Sequence, residues 1–157
     1  MQTTTPTFPP SARDSVAGAP HKEETLVALY GRTVDSVKGY AKMVEKAEPS
    51  FRDIAEKFRA LHARHADLLA RKLADRGIDA SPDSTIMGTV NQAVDAFRAF
   101  FDDIDEDVMD QVRSGEDWVL KSFDTAIAAH EGDSLAHSLR DMREDVVALL
   151  DQTRQIG

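Results

Sequence analysis

Cysteine is absent from the 157 residues. That excludes a disulfide framework, a thiol nucleophile, a thiolate metal site and an iron–sulfur cluster. No apolar stretch approaches the ~20 residues needed to cross a bilayer. The first residues also lack the run of about 7–15 apolar side chains that marks a secretory leader. A cytoplasmic location without membrane contact is the expectation. Positive charge is in deficit: Lys and Arg total 19 against 28 Asp and Glu, a net charge of −9. Such a balance opposes the gripping of phosphate backbones or anionic lipid, so neither nucleic acid nor membrane is expected as a partner. Aromatic residues make up only 6 % while charged residues make up 30 %, the balance of helical surfaces. Neither a Gly-x-x-x-x-Gly-Lys phosphate loop nor a Gly-x-Ser-x-Gly elbow occurs.

What is present divides unevenly. Residues 1–21 hold four of the six prolines (Pro6, Pro9, Pro10, Pro20) and four threonines in the first seven positions. This composition buries too little apolar surface to order itself and reads as a disordered Pro/Thr-rich tail. From residue 22 to 157 the period is helical, in one domain of a length that buries about two thirds of its unfolded surface. Leu26, Tyr30, Val34, Val37, Ala41 and Val44 recur at steps of three and four, predicting a helix over about 22–47. Glu48-Pro49-Ser50 ends it, with Ser50 as cap for a second helix over about 51–76. Phe51, Ile54, Phe58, Leu61, His65, Leu68 and Lys72 form the predicted inward face of that helix, Leu69 and Leu73 broaden it, and Gly77 stops it. Further helices are predicted over about 84–102, 105–130 and 134–155, separated at Asp102-Asp103 and at Gly132-Asp133-Ser134.

Helices of about 22–26 residues are ~33–39 Å long, the right size for a bundle. The links at 48–50 and 131–133 are short and make antiparallel hairpins. The long middle connection spans the bundle and is expected to join parallel neighbours. The predicted fold is therefore all-α: a ferritin-like four-helix bundle whose crossover contains an additional shorter helix.

Gly39-Tyr40, Ser84-x-x-x-Gly88 and Ser114-Gly115-Glu116-Asp117 with Leu120-Lys121 and Phe123 carry a likeness. Over about residues 25–130 the chain resembles an uncharacterised bacterial domain-of-unknown-function family of ferritin-like four-helix bundles. The resemblance implies a fold and no settled activity.

Candidate chemistry concentrates on three residues. A carboxylate-bridged di-metal centre takes a Glu from each of two helices and Glu-x-x-His from each of the other two. Here helix two offers His62-x-x-His65, and no Glu-x-x-His occurs anywhere. The metal candidates are accordingly His62, His65 and Glu116, a degenerate set for iron, manganese or zinc. No cofactor is expected on the first reading. On that reading His65 is a core histidine bonded to Glu116, Tyr40 or a backbone carbonyl. Asp35 sits beside Val34 off the bundle axis, and His137 lies near a helix end. Asp103-x-Asp105-x-Asp107 opens like a calcium loop, but Val108 and Ser114 stand where glycine and a bidentate glutamate are required. Trp118 falls one step off the core line, at the edge of the core or on a dimer face. The expected function is a non-catalytic bundle acting through self- or partner-association. The alternatives are a metal-binding or metal-dependent protein and a histidine phosphotransfer bundle.

Overall fold

The computed structural model describes residues 22–80 and 108–154. Four helices account for most of them: α1 (Lys22–Lys46), α2 (Pro49–Asp75), α3 (Val108–Ala129) and α4 (Ser134–Thr153). No strand occurs among the described residues. The predicted tail at 1–21, the predicted helix at 84–102 and the triad Asp103, Asp105 and Asp107 lie outside the described residues.

Local chemistry sets the helix ends. Glu48 is extended (φ −57°, ψ 149°), as the residue before a proline prefers, and Pro49 takes the first helical position, where its missing N–H costs nothing. α2 therefore starts before the predicted residue 51, and Ser50 lies inside its first turn instead of capping it. At the other end Gly77 adopts φ 75°, its N–H bonds Ala74 O, and the Ile78 N–H reaches back to Leu73 O. This is a Schellman stop, closed by Ile78 packing on the apolar cluster that holds Leu73. Asp133 caps α4, its carboxylate accepting from the Leu135 N–H, and Arg76 at the end of α2 binds that same carboxylate at 3.0 Å. The Leu135 bond is the main cause holding the Asp133 carboxyl below its ordinary pKa.

α1 packs on α2 and α3, and α4 packs on α3 and α2, so α1–α4 and α2–α3 are the diagonals of a four-helix bundle. Late-α1 Tyr40 meets early-α3 Glu116, while Thr25 near the start of α1 lies by Thr125 near the end of α3. These two helices are antiparallel. Early-α2 Phe58 clusters with early-α3 Val112, and late-α2 Leu73 with late-α3 Ile127, so α2 and α3 are parallel. The expectation of parallel helices holds, but they are diagonal partners and not neighbours. A connection long enough to return along the bundle reaches either position, so its length sets direction without setting adjacency.

Among the described residues the core forms two apolar clusters. One holds Tyr40, Met43, Ile54, Ala55, Phe58 and Val112 at the end nearest the α1–α2 turn. The other includes Leu26, Leu29, Leu69, Leu73, Phe123, Leu139 and Val146. Truncating Phe58 or Phe123, both fully buried, costs about 3–5 kcal/mol. The buried face of α2 is Ile54, Ala55, Phe58, Leu61, His62, His65, Leu69 and Leu73. It corrects the predicted stripe at one position: Leu68 is 40 % exposed, while Leu69 and Leu73, expected only to broaden the face, are fully buried. α2 touches both α1 and α4, and that pair of contacts turns its inward face by one position. The buried Thr33 and Ser36 hydroxyls are satisfied within their own helix, Thr33 donating to Leu29 O and Ser36 to Arg32 O.

Candidate functional site

Where the two apolar clusters meet, the bundle interior is polar. On α2, Phe58 belongs to one cluster and Leu61 to the other, and His62 follows immediately. On α3, Glu116 sits between Val112 and Val119 in the same way. His62, His65 and Glu116 are all at most 1 % exposed. A carboxylate this deep is costly unless donors meet it. Two do. The Tyr40 hydroxyl donates to Glu116 Oε1 at 2.6 Å, and His62 Nε2 lies 2.8 Å from the same oxygen across the diagonal of the bundle. Carboxylate oxygens accept, so His62 supplies the proton from Nε2. Burial, and then the neighbouring Glu116 charge, push the Tyr40 phenol well above its ordinary pKa, so Tyr40 remains a donor.

Aromatic faces lock these groups. Tyr40 stacks on Phe58 (centroids 5.2 Å) and on His62 (5.8 Å), His62 meets His65 edge-on at 6.3 Å, and His65 meets Phe123 edge-on at 6.0 Å. Residues three apart on a helix share a face, which puts both histidines of α2 in one row. His65 turns away from Glu116: its Nε2 lies 3.3 Å from Asp145 Oδ2 on α4. Asp145 is 57 % exposed, so this pair runs from the bundle interior to its surface. Burial is the main cause holding the His65 pKa below its ordinary value, opposed by the Asp145 hydrogen bond. Its stabilising effect is therefore present above pH about 6.5 and fades as pH falls toward the lowered folded-state value.

The three predicted ligand candidates thus come into one row, with a division the sequence reading did not have. His62, not His65, binds Glu116, and His65 takes a partner from α4. Several buried atoms in this row have no hydrogen-bond partner: His62 Nδ1, His65 Nδ1 and Glu116 Oε2. As they stand, no group of three or more His, Cys, Asp or Glu side chains among the described residues is arranged to hold a metal ion. His62 and His65 are closed to the partner protein that a phosphotransfer histidine must meet, which removes the residues on which that alternative relied. His137 lies elsewhere, 83 % exposed and 3.9 Å from Asp141.

Asp145 is missing from the predicted site because its helical neighbourhood is ordinary and only the packing of α4 on α2 brings it to His65. His130 is missing as well. It is fully buried just past α3 and its Nδ1 donates back to Ala126 O at 2.8 Å. Asp35 is not off at the edge: it is 1 % exposed while its neighbour Val34 is only half-buried.

A second feature lies on the outside of the α1–α3 seam. Trp118 is 58 % exposed, with the Arg32 guanidinium 5.8 Å and the Lys121 ammonium 5.1 Å from its ring centre. A hollow of about 260 Å³ lined by Ala28, Arg32, Trp118 and Lys121 opens beside it.

An all-helical bundle with a polar layer at mid-core, drawn from α1, α2 and α3, defines the class of this molecule. The chain belongs to the DUF2383 family, a domain of unknown function whose model matches residues 22–129. The match takes in Tyr40, His62, His65 and Glu116 and stops short of α4, and so of Asp145. No curated protein and no solved structure matches the chain. No helix among the described residues is long and apolar enough to cross a membrane.

Proposed function

We propose that this bundle is non-catalytic and works by association, pairing with a second copy of itself across the α1–α3 face. One observation carries the reading: Trp118, the largest side chain in the protein, stands 58 % exposed on a helix whose other face is fully packed. Tryptophan and arginine are the residue types most often found as interface anchors. Arg32 and Lys121 hold the ring by cation–π contact, which keeps it presented in one orientation at little further entropic cost. The surface beside the ring carries both signs, Asp117 before it and the cations Arg32 and Lys121 against it. A two-fold axis near Trp118 brings Asp117 of one copy toward the cations beside the other copy's ring, as a self-complementary interface requires. A ferritin-like ancestry, a bacterial source and a cytoplasmic setting belong to the same proposal.

Size-exclusion chromatography with light scattering tests it. The native chain is expected to run as a dimer whose population falls on dilution. Trp118→Ala is expected to weaken the dimer by about 2 kcal/mol. A native chain that stays monomeric at high concentration overturns the reading.

A further inference from the structure

The outer face of α1 is covered, although no described helix lies over it. Among the described helices α1 packs only on α2 and α3. Leu26, Tyr30 and Tyr40 belong to the core that these helices share. Asp35 follows Leu26 by nine residues, about two and a half helical turns, and so points the opposite way. It is nevertheless 1 % exposed, with both oxygens buried and unpartnered. Its own helix cannot hide it, because the residues four before and four after it are glycines. Gly31 and Gly39 are themselves buried. α4 supplies the contrast. Glu144 follows the buried Leu135 by the same nine residues and is exposed, as an outward residue should be. α4 keeps its outer face open to water there, and α1 does not.

The two ends of the connection between α2 and α3 both lie beside α1. Before it, Ile78 and Ala80 pack on the cluster of Leu26 and Tyr30, and the Tyr30 hydroxyl donates to Ala80 O at 3.4 Å. After it, Val108 packs on the cluster of Tyr40 and Met43. Tyr30 and Met43 are about 20 Å apart along α1, and the helix predicted over 84–102 is about 28 Å long. Ile86, Val90, Val94, Phe97 and Phe101 give that helix an apolar stripe that needs a surface to bury it. Residues 81–107 hold seven acids and one base, Arg98, while Arg32, Lys38 and Lys42 stand on or beside the outer face of α1. We propose that residues 84–102 dock as a fifth helix on the outer face of α1, parallel to it, with their apolar stripe over Gly31, Asp35 and Gly39. The glycines let the two backbones come close, and the charges on the two sides are complementary. α1 is then the central helix of the molecule, packed on every side, and Asp35 lies in the seam between it and the docked segment.

The test is amide hydrogen exchange on the full-length protein, read by mass spectrometry over residues 86–101. In the native chain these amides are expected to exchange at least about 100-fold more slowly than in an unstructured peptide. Asp35→Arg puts a long cation at the centre of the seam and is expected to speed their exchange by about 10-fold or more. Paired Val94→Asp and Phe97→Asp substitutions are expected to do the same from the other side, with exchange in α4 unchanged. Glu144→Arg, on the open face of α4, is expected to leave the segment as protected as in the native chain. Protection is also expected to survive dilution and Trp118→Ala, which separates this contact from pairing across the α1–α3 face. The proposal is overturned by a native segment that exchanges at unstructured rates, or by protection that neither Asp35→Arg nor the paired substitutions reduce. Protection that fades on dilution gives the face to a second copy and equally overturns it. Should Asp35→Arg fail to fold, the paired substitutions decide the matter.

Discussion

Glu116 and Asp35 are both carboxylic acids taken out of water, each 1 % exposed, and the fold treats them in opposite ways. Glu116 on α3 meets a hydroxyl from α1 and an imidazole from α2. Asp35 on α1 meets neither: both of its oxygens are buried without a hydrogen-bond partner. Burial raises its pKa from 3.8 to about 6, against the pull of Arg32 and Lys38. The lesson is that depth sets the cost of a buried acid, and donors arriving from other helices decide whether that cost is met. Glu116 serves as a cross-bundle tie that fixes how α1, α2 and α3 sit together. Asp35 is a source of instability that depends on pH.

The contrast breaks most severely if the tie itself is removed. Glu116→Leu fills similar volume but leaves the Tyr40 hydroxyl and the His62 N–H with no acceptor. The expected loss is about 3 kcal/mol in urea denaturation, and Glu116→Gln, which keeps an acceptor oxygen, is expected to lose markedly less. A Glu116→Leu variant as stable as the native chain would show that the tie is ornamental.

Next in size is the opposite effect at Asp35. Its folded pKa lies above its unfolded one, so its neutral form is favoured by folding and stability is lost as pH rises from about 3.8 through about 6. Asp35→Asn removes the ionisation. The variant is expected to exceed the native chain by about 2 kcal/mol at pH 7 and to match it near pH 4. His65 contributes a slope of the other sign below pH about 6.5, and the difference between variant and native chain cancels it. Equal offsets at both pH values would place the effect in packing and not in charge.

Tyr40→Phe sharpens the comparison from the donor side. It keeps the stacking on Phe58 and His62 and removes one of the two donors to Glu116. About 1–2 kcal/mol is expected, read from the urea midpoint at unchanged slope. The smallest effect belongs to Asp145→Asn. Asp145 is 57 % exposed, so its pairing with His65 is expected to hold less than about 1 kcal/mol. A large loss there would mean that the surface end of the row carries the fold, and that stability alone accounts for its geometry.

Much of the architecture was legible in the chain. The steps of three and four at Leu26, Tyr30, Ile54, Phe58, Val119, Phe123, Leu135 and Leu139 place helices because a helix repeats its face at that spacing. The stop at Gly77 and the break at Gly132-Asp133 were legible for the same kind of reason, since φ near 75–85° is cheap only for glycine. The site was legible in part. His62, His65 and Glu116 were named because histidine and glutamate are conspicuous in an apolar row, but their pairing was not. Leu68 and Leu69 are equally apolar and differ by one step of 100°, so no single-helix pattern chooses between them. The choice falls to the neighbour, since α2 must satisfy both α1 and α4.

The sequence by itself determined that this protein is helical, where its described helices stop, and that His65 and Glu116 sit on or beside apolar stripes. These follow from backbone geometry and from spacing along one chain. Only the tertiary structure decided that Glu116 is met by two donors while Asp35 has none, that His65 finds Asp145, and that α2 and α3 face each other across the centre. Such pairings join side chains 54 to 80 positions apart, and helix register between distant segments is set by packing, which no local pattern encodes.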